Sequence, residues 1–219
     1  MTIGYVLDDT LDKADGVQQA MIAIGEHMRS LGHNVHYIVA ETDRTDLEHV
    51  HGIGAFWSLK FNGNSVRTPK PASKTEIRQL FNDIKFDVLH VQSPHSPLLS
   101  GRVMALAPKS TKIFGTFHIL PYNWITSYGT RLVGISMKRN LRLFDHMFAV
   151  SEPARVFMEH SFGIAGSVLP NPVNYDFFAA KKKQKSMHNA GKTARLAKND
   201  GKWCVESAGK RKTAKKKRK

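Results

Sequence analysis

Short apolar segments alternate with segments of helical periodicity along most of this chain. The apolar runs have the length of buried strands and lie at residues 3–7, 34–40, 87–91, 112–117, 146–150 and 167–169. Between them, apolar residues recur three and four positions apart, which predicts helices near 17–31, 74–84, 97–107, 124–143 and 153–161. Strands alternating with helices of this length predict an α/β fold, in which a parallel sheet is covered by helices on both faces.

This fold class predicts where a ligand binds. In open parallel sheets, ligands bind in the crevice outside the carboxyl ends of the strands. Three loops follow strand ends, at residues 8–16, 92–95 and 118–123. We therefore expect these loops to converge on one crevice.

The net charge of +15 is carried almost entirely by the last part of the chain. Residues 181–219 hold 16 Lys and Arg against 2 Asp and Glu, whereas residues 1–180 hold 17 basic and 16 acidic residues. Beyond residue 178 the apolar periodicity stops, so this segment lacks the apolar surface that offsets the entropy of ordering. We refer to residues 179–219 as the basic segment and expect it to be disordered.

Two features of the sequence indicate the cellular compartment of the protein. Cys204 is the only cysteine, which excludes an intrachain disulfide and favours a reducing environment. No run approaches 18 apolar residues, and the first residues lack the pattern of a signal peptide. A cytoplasmic location is therefore expected.

Six short motifs occur in the order and at the places of the strand and helix pattern. They are the Asp15-Gly16-Val17-Gln18 turn, GEHMRSLGHNV at 25–35, FDVLHVQSPHSP at 86–97, TFH at 116–118, AVS at 149–151 and LPNPVN at 169–174. Together they resemble the N-terminal domain of family-4 glycosyltransferases of the GT-B fold, and most of all the phosphatidylinositol mannosyltransferase-like enzymes. The resemblance covers about residues 2–177. It implies that residues 1–178 form a Rossmann-like, acceptor-binding domain, the N-terminal half of a GT-B fold.

The resemblance also implies an activity. Such an enzyme is a retaining glycosyltransferase that moves a hexose such as mannose from a nucleotide-sugar to a lipid-linked or polyol acceptor. The nucleotide-sugar is a substrate, and no cofactor is expected. In this family the nucleotide contacts lie in a second domain, which the sequence after residue 178 does not resemble. We therefore expect little or no turnover by the 219-residue chain alone.

Two hypotheses account for the basic segment. Lys181, Lys182 and Lys183 can be encoded by an unbroken run of adenines, where reading frames slip, so the segment is interpreted as a frameshifted remnant of the second domain. In the alternative, the chain is a non-catalytic acceptor-binding module. Its basic segment then contacts anionic membrane or nucleic acid through phosphates, without sequence specificity.

The resemblance assigns roles to five residues. Gly16, where a strand-end loop enters a helix, contacts the donor phosphate; Gln18, Asn62 and Ser65 line the acceptor side; and His118 is the catalytic candidate. Each has a structural alternative. Gly16 could simply follow an Asp15 N-cap, Gln18 could lie on a solvated helix face, and His118 could be structural.

Two further patterns have ordinary explanations as well. Asp8, Asp9, Asp12 and Asp15 lack the spacing of a calcium loop and are interpreted as solvated turn and cap residues, and no set of metal ligands is predicted. His90, in a buried strand, is interpreted as a core residue. A stripe of Trp124, Arg131, Lys138 and Arg142 on one helix face is either an ordinary solvated face or a peripheral membrane contact.

Overall fold

The computed structural model describes residues 1–61, 64–92, 94, 96–118, 138–172, 194–199 and 202–207, and gives only the backbone for 57–69 and 194–207 within these ranges. Two compact units are present, Met1–Val173 and Asn174–Lys219. They are described separately below.

The first unit is built on a parallel sheet of seven strands, which confirms the predicted fold class. Its strands are β1 (Thr2–Leu7), β2 (Asn34–Val39), β3 (Val50–Gly52), β6 (Val88–Val91), β7 (Lys112–Phe117), β8 (His146–Ala149) and β9 (Ser167–Val168). Their order across the sheet is β3-β2-β1-β6-β7-β8-β9. All neighbouring pairs are parallel, with Ile3 of β1 opposite Val35 of β2 and Val88 of β6.

Four helices with complete bounds accompany this sheet: α1 (Gly16–Ser30), α2 (Lys74–Asp83), α3 (Leu99–Leu106) and α4 (Glu152–Phe162). The side chains of Ser73 and Ser151 cap α2 and α4 by accepting backbone N–H groups. Gly163 ends α4 with a φ of 68°, a left-handed conformation that glycine adopts without strain. Of the helix predicted at 124–143, residues 138–141 are helical and 119–137 lie outside the described residues.

The two faces of the sheet pack against different helices. Val6, Leu89 and Ile113 point to one face and form a core with α2 and α3. Tyr5 and Tyr37 point to the other face and pack beneath α1. Because side chains of a strand alternate between faces, both faces of β1 are buried, and its run of apolar residues is continuous.

The sequence interpretation missed β3 and two further strands between β3 and α2. Phe56–Phe61 (β4) and Asn64–Pro69 (β5) pair in an antiparallel hairpin, with Phe61 opposite Asn64. The two residues between them in the sequence, Asn62 and Gly63, form a dipeptide typical of two-residue hairpin loops. That local turn signal, rather than apolar periodicity, could have predicted the hairpin.

The second unit also contains an antiparallel pair, β10 (Ala194–Asn199) and β11 (Lys202–Ser207). These strands lie inside the basic segment, whose disorder stays a prediction. The remainder of the segment lies outside the described residues. Asn199 pairs with Lys202, and the intervening sequence Asp200-Gly201 is again a hairpin dipeptide. An isolated pair of strands is only marginally stable in water.

The packing of α1 on β2 predicts opposite effects of the same substitution at two glycines. A Cβ at Gly25 would overlap the hydroxyl of buried Tyr37 and lie 2.8 Å from its Cζ atom. A Cβ at Gly16, in the first turn, meets nothing within 4 Å. We expect Gly25→Ala to lower the free energy of unfolding by about 1–3 kcal/mol, measured by urea denaturation.

The matched control is Gly16→Ala, which adds the same methyl group to the same helix. It is expected to leave the free energy of unfolding unchanged or slightly raised, because alanine favours helix over glycine. Equal losses in the two variants would contradict the packing argument.

Candidate functional site

The carboxyl edge of the sheet has a switch in strand order between β1 and β6. The chain runs from β1 to β2 on one side of the sheet and later returns to β6 on the other. Loops at such a point diverge and leave a crevice. Direct contacts join the loops there: the Gln92 backbone N–H donates to the Val6 carbonyl at 2.9 Å, and Asp8 reaches Ser100 at the start of α3.

Asp8 is buried at the end of β1, with 8% of its surface exposed. Its Oδ1 accepts the Ser100 backbone N–H at 2.9 Å, which satisfies a free amide of the first turn of α3. Burial raises the pKa of this carboxyl, and hydrogen bonding from Ser100, Ser96 and the Leu99 backbone opposes the increase. Its Oδ2 has no hydrogen-bond partner among the described residues. The interpretation of Asp8 as a solvated turn residue is therefore wrong, because the side chain is buried. Its partner Ser100 lies 92 residues away in the sequence, so no local pattern indicated the contact.

Gln18 lies in the first turn of α1 with only 3% of its surface exposed. The alternative that placed it on a solvated helix face is therefore wrong. Its Nε2 donates to the Thr10 carbonyl at 3.3 Å, whereas its Oε1 has no partner among the described residues. The side chain is thus held against the loop that follows β1, with one acceptor unused.

Gln92 and His118 follow β6 and β7 and bind each other. His118 Nε2–H donates to Gln92 Oε1 at 2.9 Å. Gln92 is 3% exposed, and its Nε2 has no partner among the described residues. The sequence analysis missed Gln92; its position directly after a predicted strand was the available signal.

His90 lies one layer below this pair, in β6. Its Nε2 is 2.7 Å from the Thr116 hydroxyl, which confirms the interpretation as a satisfied core residue. Burial, and then the nearby His118, lower the pKa of His90 to about 4. His90 is therefore neutral near pH 7.

The N-terminus of α1 carries no side-chain cap. Asp15 occupies the N-cap position with an extended backbone, but its carboxylate makes no cap hydrogen bond. The N–H groups of the first turn therefore lack the side-chain acceptor that serves α2 and α4. With open space at the Gly16 Cα, this helix end has the geometry that anions use elsewhere.

The remaining predicted residues are not placed at the crevice by the described contacts. Asn62 lies outside the described residues. Ser65 lies in β5 with its backbone opposite Lys60, and its side chain is not described. In the predicted basic stripe, Lys138 and Arg142 are exposed, and Trp124 and Arg131 lie outside the described residues.

Two further cavities are present in the first unit. One, of about 470 Å³, is lined by Lys74, Arg102 and Arg139 beside α2 and α3. The other, of about 450 Å³, is apolar and lies against Tyr5 and Phe148. None of the five predicted site residues lines either cavity.

Metal ligands and membrane spans were also sought in the described part of the chain. There, no three His, Cys, Asp or Glu side chains are grouped so that they could hold a metal ion. None of the helices described has the length and apolar character needed to cross a membrane.

Comparison with known proteins identifies the family. The model of Glycosyltransferase Family 4 matches residues 14–177, about three quarters of the chain. The chain belongs to glycosyltransferase family 4. This confirms the resemblance drawn from the six motifs, and the crevice described above lies within the matched region or directly before it.

The curated relatives agree with this assignment. Phosphatidyl-myo-inositol mannosyltransferase of Mycobacterium leprae is 28% identical over 195 residues, which cover 88% of this chain and 51% of the relative. The enzyme of that name from Mycolicibacterium smegmatis is 28% identical over 181 residues, 82% of this chain and 46% of the relative. The chain thus spans about half the length of these family-4 relatives.

Solved structures support the fold alone. An α-glucosyltransferase in complex with UDP and a 13-mer DNA superposes with a TM-score of 0.52 at 12% identity, covering 80% of this chain and 43% of that one. A glycosyltransferase from Rickettsia africae gives a TM-score of 0.51 at 17% identity, covering 87% and 49%. At this level of identity, the shared property is the parallel sheet with its flanking helices.

Proposed function

We propose that residues 1–178 are the acceptor-binding half of a retaining glycosyltransferase that transfers a hexose, mannose by analogy with the relatives, from a nucleotide-sugar. The acceptor is a polyol or a lipid-linked polyol. The printed names of the relatives point to a phosphatidyl-myo-inositol as the model acceptor. In this family a second domain supplies the nucleotide site, and this chain would contact only the donor phosphate, at Gly16, so the 219-residue chain alone is expected to transfer little or no sugar.

The observation that carries this proposal is the polar floor of the crevice. Asp8 Oδ2, Gln18 Oε1 and Gln92 Nε2 are buried polar atoms without partners among the described residues. Buried polar atoms are nearly always paired, because leaving one unpaired costs about 1–3 kcal/mol. Unpaired polar atoms after β1, after β6 and in the first turn of α1 support a site that a polar ligand completes.

The crevice offers two chemical environments. The uncapped start of α1 presents N–H groups to an anion such as the donor diphosphate, with Gly16 leaving room for it. The floor presents carboxylate and amide groups suited to hydroxyl groups. His118, oriented by Gln92, is placed to accept or position a hydroxyl proton through its Nδ1 atom when Nε2 carries the proton.

The proposed mechanism is a front-face transfer without a protein nucleophile. Helix-end N–H groups lower the energy of the charge that develops on the leaving diphosphate. Closure of the second domain over the crevice excludes water during transfer. A lipid-linked acceptor would bring the protein to the inner face of the membrane as a peripheral protein.

Backbone amide hydrogen exchange of the purified chain tests this function. Glycerophospho-myo-inositol and a panel of nucleotide-activated hexoses serve as ligands. We expect the acceptor analogue to slow exchange in residues 8–18 and 116–118, and to leave β3, an edge strand of the sheet, unchanged. If no ligand of the panel protects either loop, the crevice is not a substrate site.

The Gly16→Ala variant separates the two environments. Its methyl group would occupy the space expected for a phosphate, while the fold has room for it. We expect the nucleotide-sugar concentration needed for half-maximal protection to rise at least tenfold. The concentration of free myo-inositol needed for protection should not change. Sugar transfer by the chain alone, measured with radiolabelled donor, would contradict the expectation of an inactive half.

A further inference from the structure

We infer that a stack of three imidazoles, those of His36, His49 and His51, holds residues 41–53 on the edge of the sheet, and that acidification below about pH 6 releases them. We refer to residues 41–53 as the edge segment. It follows β2, includes β3 and contacts the loop after β1. Its release would loosen that loop at the crevice. The release is a property of the fold, and its meaning for sugar transfer rests on the proposed function.

The three imidazoles join β2 to the edge segment. His36, in β2, is 5% exposed, and its Nδ1 lies 3.0 Å from His51 Nε2 in β3. The ring centroid of His36 lies 4.6 Å from that of His49 and 5.2 Å from that of His51, at interplanar angles of 17° and 22°. The ring of Phe86 packs edge-on against the same imidazole at 5.4 Å. The contact between the two strands therefore includes a compact set of titratable side chains.

The backbone pairing of the edge segment is short. β3 has three residues and lies at the edge of the sheet, where β2 is its one neighbour among the described strands. His49 precedes β3 with a φ of 54°, a left-handed conformation that is uncommon for residues other than glycine. Its carbonyl accepts the Tyr37 N–H at 3.0 Å. A short edge strand with few backbone bonds opens more easily than a central strand, so its side-chain contacts decide whether it stays paired.

The groups around the stack disfavour a proton on it. Burial lowers the pKa of His36 to about 4, and His51, His49 and then Arg29 of α1 act in the same direction. Burial, and then His49, lower the pKa of His51 as well. A proton on the closed stack would therefore lie in a poorly hydrated place, beside two further imidazoles and a guanidinium group.

No carboxylate compensates such a charge in the described part of the chain. Glu26 and Glu48 lie beside Arg29, at N–O distances of 3.5 and 3.4 Å, and none of the three imidazoles pairs with an Asp or Glu. His36 Nε2 is buried without a hydrogen-bond partner among the described residues, so a proton at this atom would find no acceptor there. When the edge segment leaves the sheet, water reaches the rings and their pKa returns towards about 6.5. Low pH therefore favours the open state.

The edge segment also holds the loop that follows β1. The Thr42 hydroxyl and the Asp43 backbone N–H donate to Asp12 Oδ1 at 2.5 and 2.9 Å. Asp12 Oδ2 accepts the Thr10 hydroxyl at 2.5 Å, and the Thr10 carbonyl is the group that binds Gln18. Opening of the edge segment removes the bonds from Thr42 and Asp43. The loop after β1 should therefore become more mobile when the stack is protonated.

Native-state hydrogen exchange of the full 219-residue chain at pH 7, 6 and 5 tests this release. Protection factors are compared, because they remove the pH dependence of intrinsic exchange. For a histidine whose pKa changes from about 4 to about 6.5 on opening, the opening equilibrium should rise about twentyfold between pH 7 and pH 5. We expect protection to fall at least tenfold in residues 41–53 and in residues 8–15. β6 should stay more protected than both segments at pH 5, because it opens only on wider unfolding.

His36→Gln assigns the effect to the stack, because glutamine keeps a polar side chain that does not titrate. It should reduce the fall in protection of residues 41–53 between pH 7 and pH 5 to less than about fivefold. His51→Gln, which removes the half-buried ring, should reduce the fall by a smaller factor and replaces the first variant if that one folds poorly. His27→Gln, at an exposed position of α1, is the matched control and should behave as the unmodified chain.

Each outcome decides a different point. Equal protection of residues 41–53 and β6 at pH 5 would indicate global unfolding and overturn the release, as would an unreduced fall in well-folded His36→Gln. A fall confined to residues 41–53, with residues 8–15 unchanged, would overturn the coupling to the crevice. Ligand protection at pH 7, where the stack is closed, tests the proposed function separately. A chain that opens as expected but binds no ligand of the panel keeps the release and loses the proposed function.

Discussion

Two buried histidines, His36 and His90, are expected to contribute a loss of about 4 kcal/mol of stability when the pH falls from 7 to 5. Burial, with the nearby His51, His49 and Arg29, lowers the pKa of His36 to about 4. The pKa of His90 is lowered to about 4 as well, mainly by burial. An unfolded histidine has a pKa near 6.5.

The direction follows from proton binding. Below pH 6.5 the histidines of the unfolded chain bind protons, whereas those of the folded chain stay neutral. Their contribution to stability is therefore fully present above pH 6.5 and is lost as the pH falls towards 4. At pH 5 each group contributes a loss of about 2 kcal/mol. Asp8 acts in the opposite direction, since its pKa is raised and its protonation favours the folded state. The loss is large beside a typical stability of about 5–15 kcal/mol.

Urea denaturation at pH 7, 6 and 5 measures this effect, and one substitution assigns it. In His36→Gln, the loss between pH 7 and pH 5 should shrink by about 2 kcal/mol. His27→Gln, at an exposed position of α1, is the matched control and should behave as the unmodified chain. A urea midpoint independent of pH over this range would show that these imidazoles accept protons in the folded state.

The central strands of the sheet were predictable because they are buried on both faces, whereas the edge strand β3, which is half-buried or exposed, was missed. A doubly buried strand is a continuous apolar run, and the run at 112–117 coincides with the bounds of β7. The hairpins β4–β5 and β10–β11 were missed because their signal lies in two turn dipeptides, Asn-Gly and Asp-Gly, rather than in periodicity. Attention to apolar runs alone therefore finds the core of this fold and misses its hairpins.

The crevice was predictable only in part. Strand order places the ends of β1, β6 and β7 together, so the meeting of the loops around Gln18 and His118 follows from topology. Whether a polar side chain is buried depends on residues distant in sequence. Asp8 is hydrogen-bonded to Ser100, and Gln92 to His118. No local sequence pattern predicts these contacts. The roles of Gly16, Gln18, Asn62, Ser65 and His118 stay predictions.

Phe117→Ala is expected to have the largest effect of any single substitution considered, a loss of about 3–5 kcal/mol in the free energy of unfolding. Phe117 is the last residue of β7 and is fully buried. Its ring lies 6.0 Å from that of Phe157 and 5.5 Å from that of Phe162, both on α4. Removing the ring leaves a cavity between the sheet and α4. The neighbouring side chains are closely packed and cannot move far enough to fill it.

The same residue supports the site, because His118 follows it directly. The Phe117 carbonyl accepts the Val150 N–H at 3.2 Å, so β7 is held at its end by both backbone and ring. Phe117→Leu keeps most of the apolar volume and should cost less than half as much, whereas Val156→Ala, on the exposed side of α4, should change stability by under about 0.5 kcal/mol. Urea denaturation at pH 7 compares the three variants. A loss below about 1 kcal/mol for Phe117→Ala would mean that α4 closes onto the sheet without this ring.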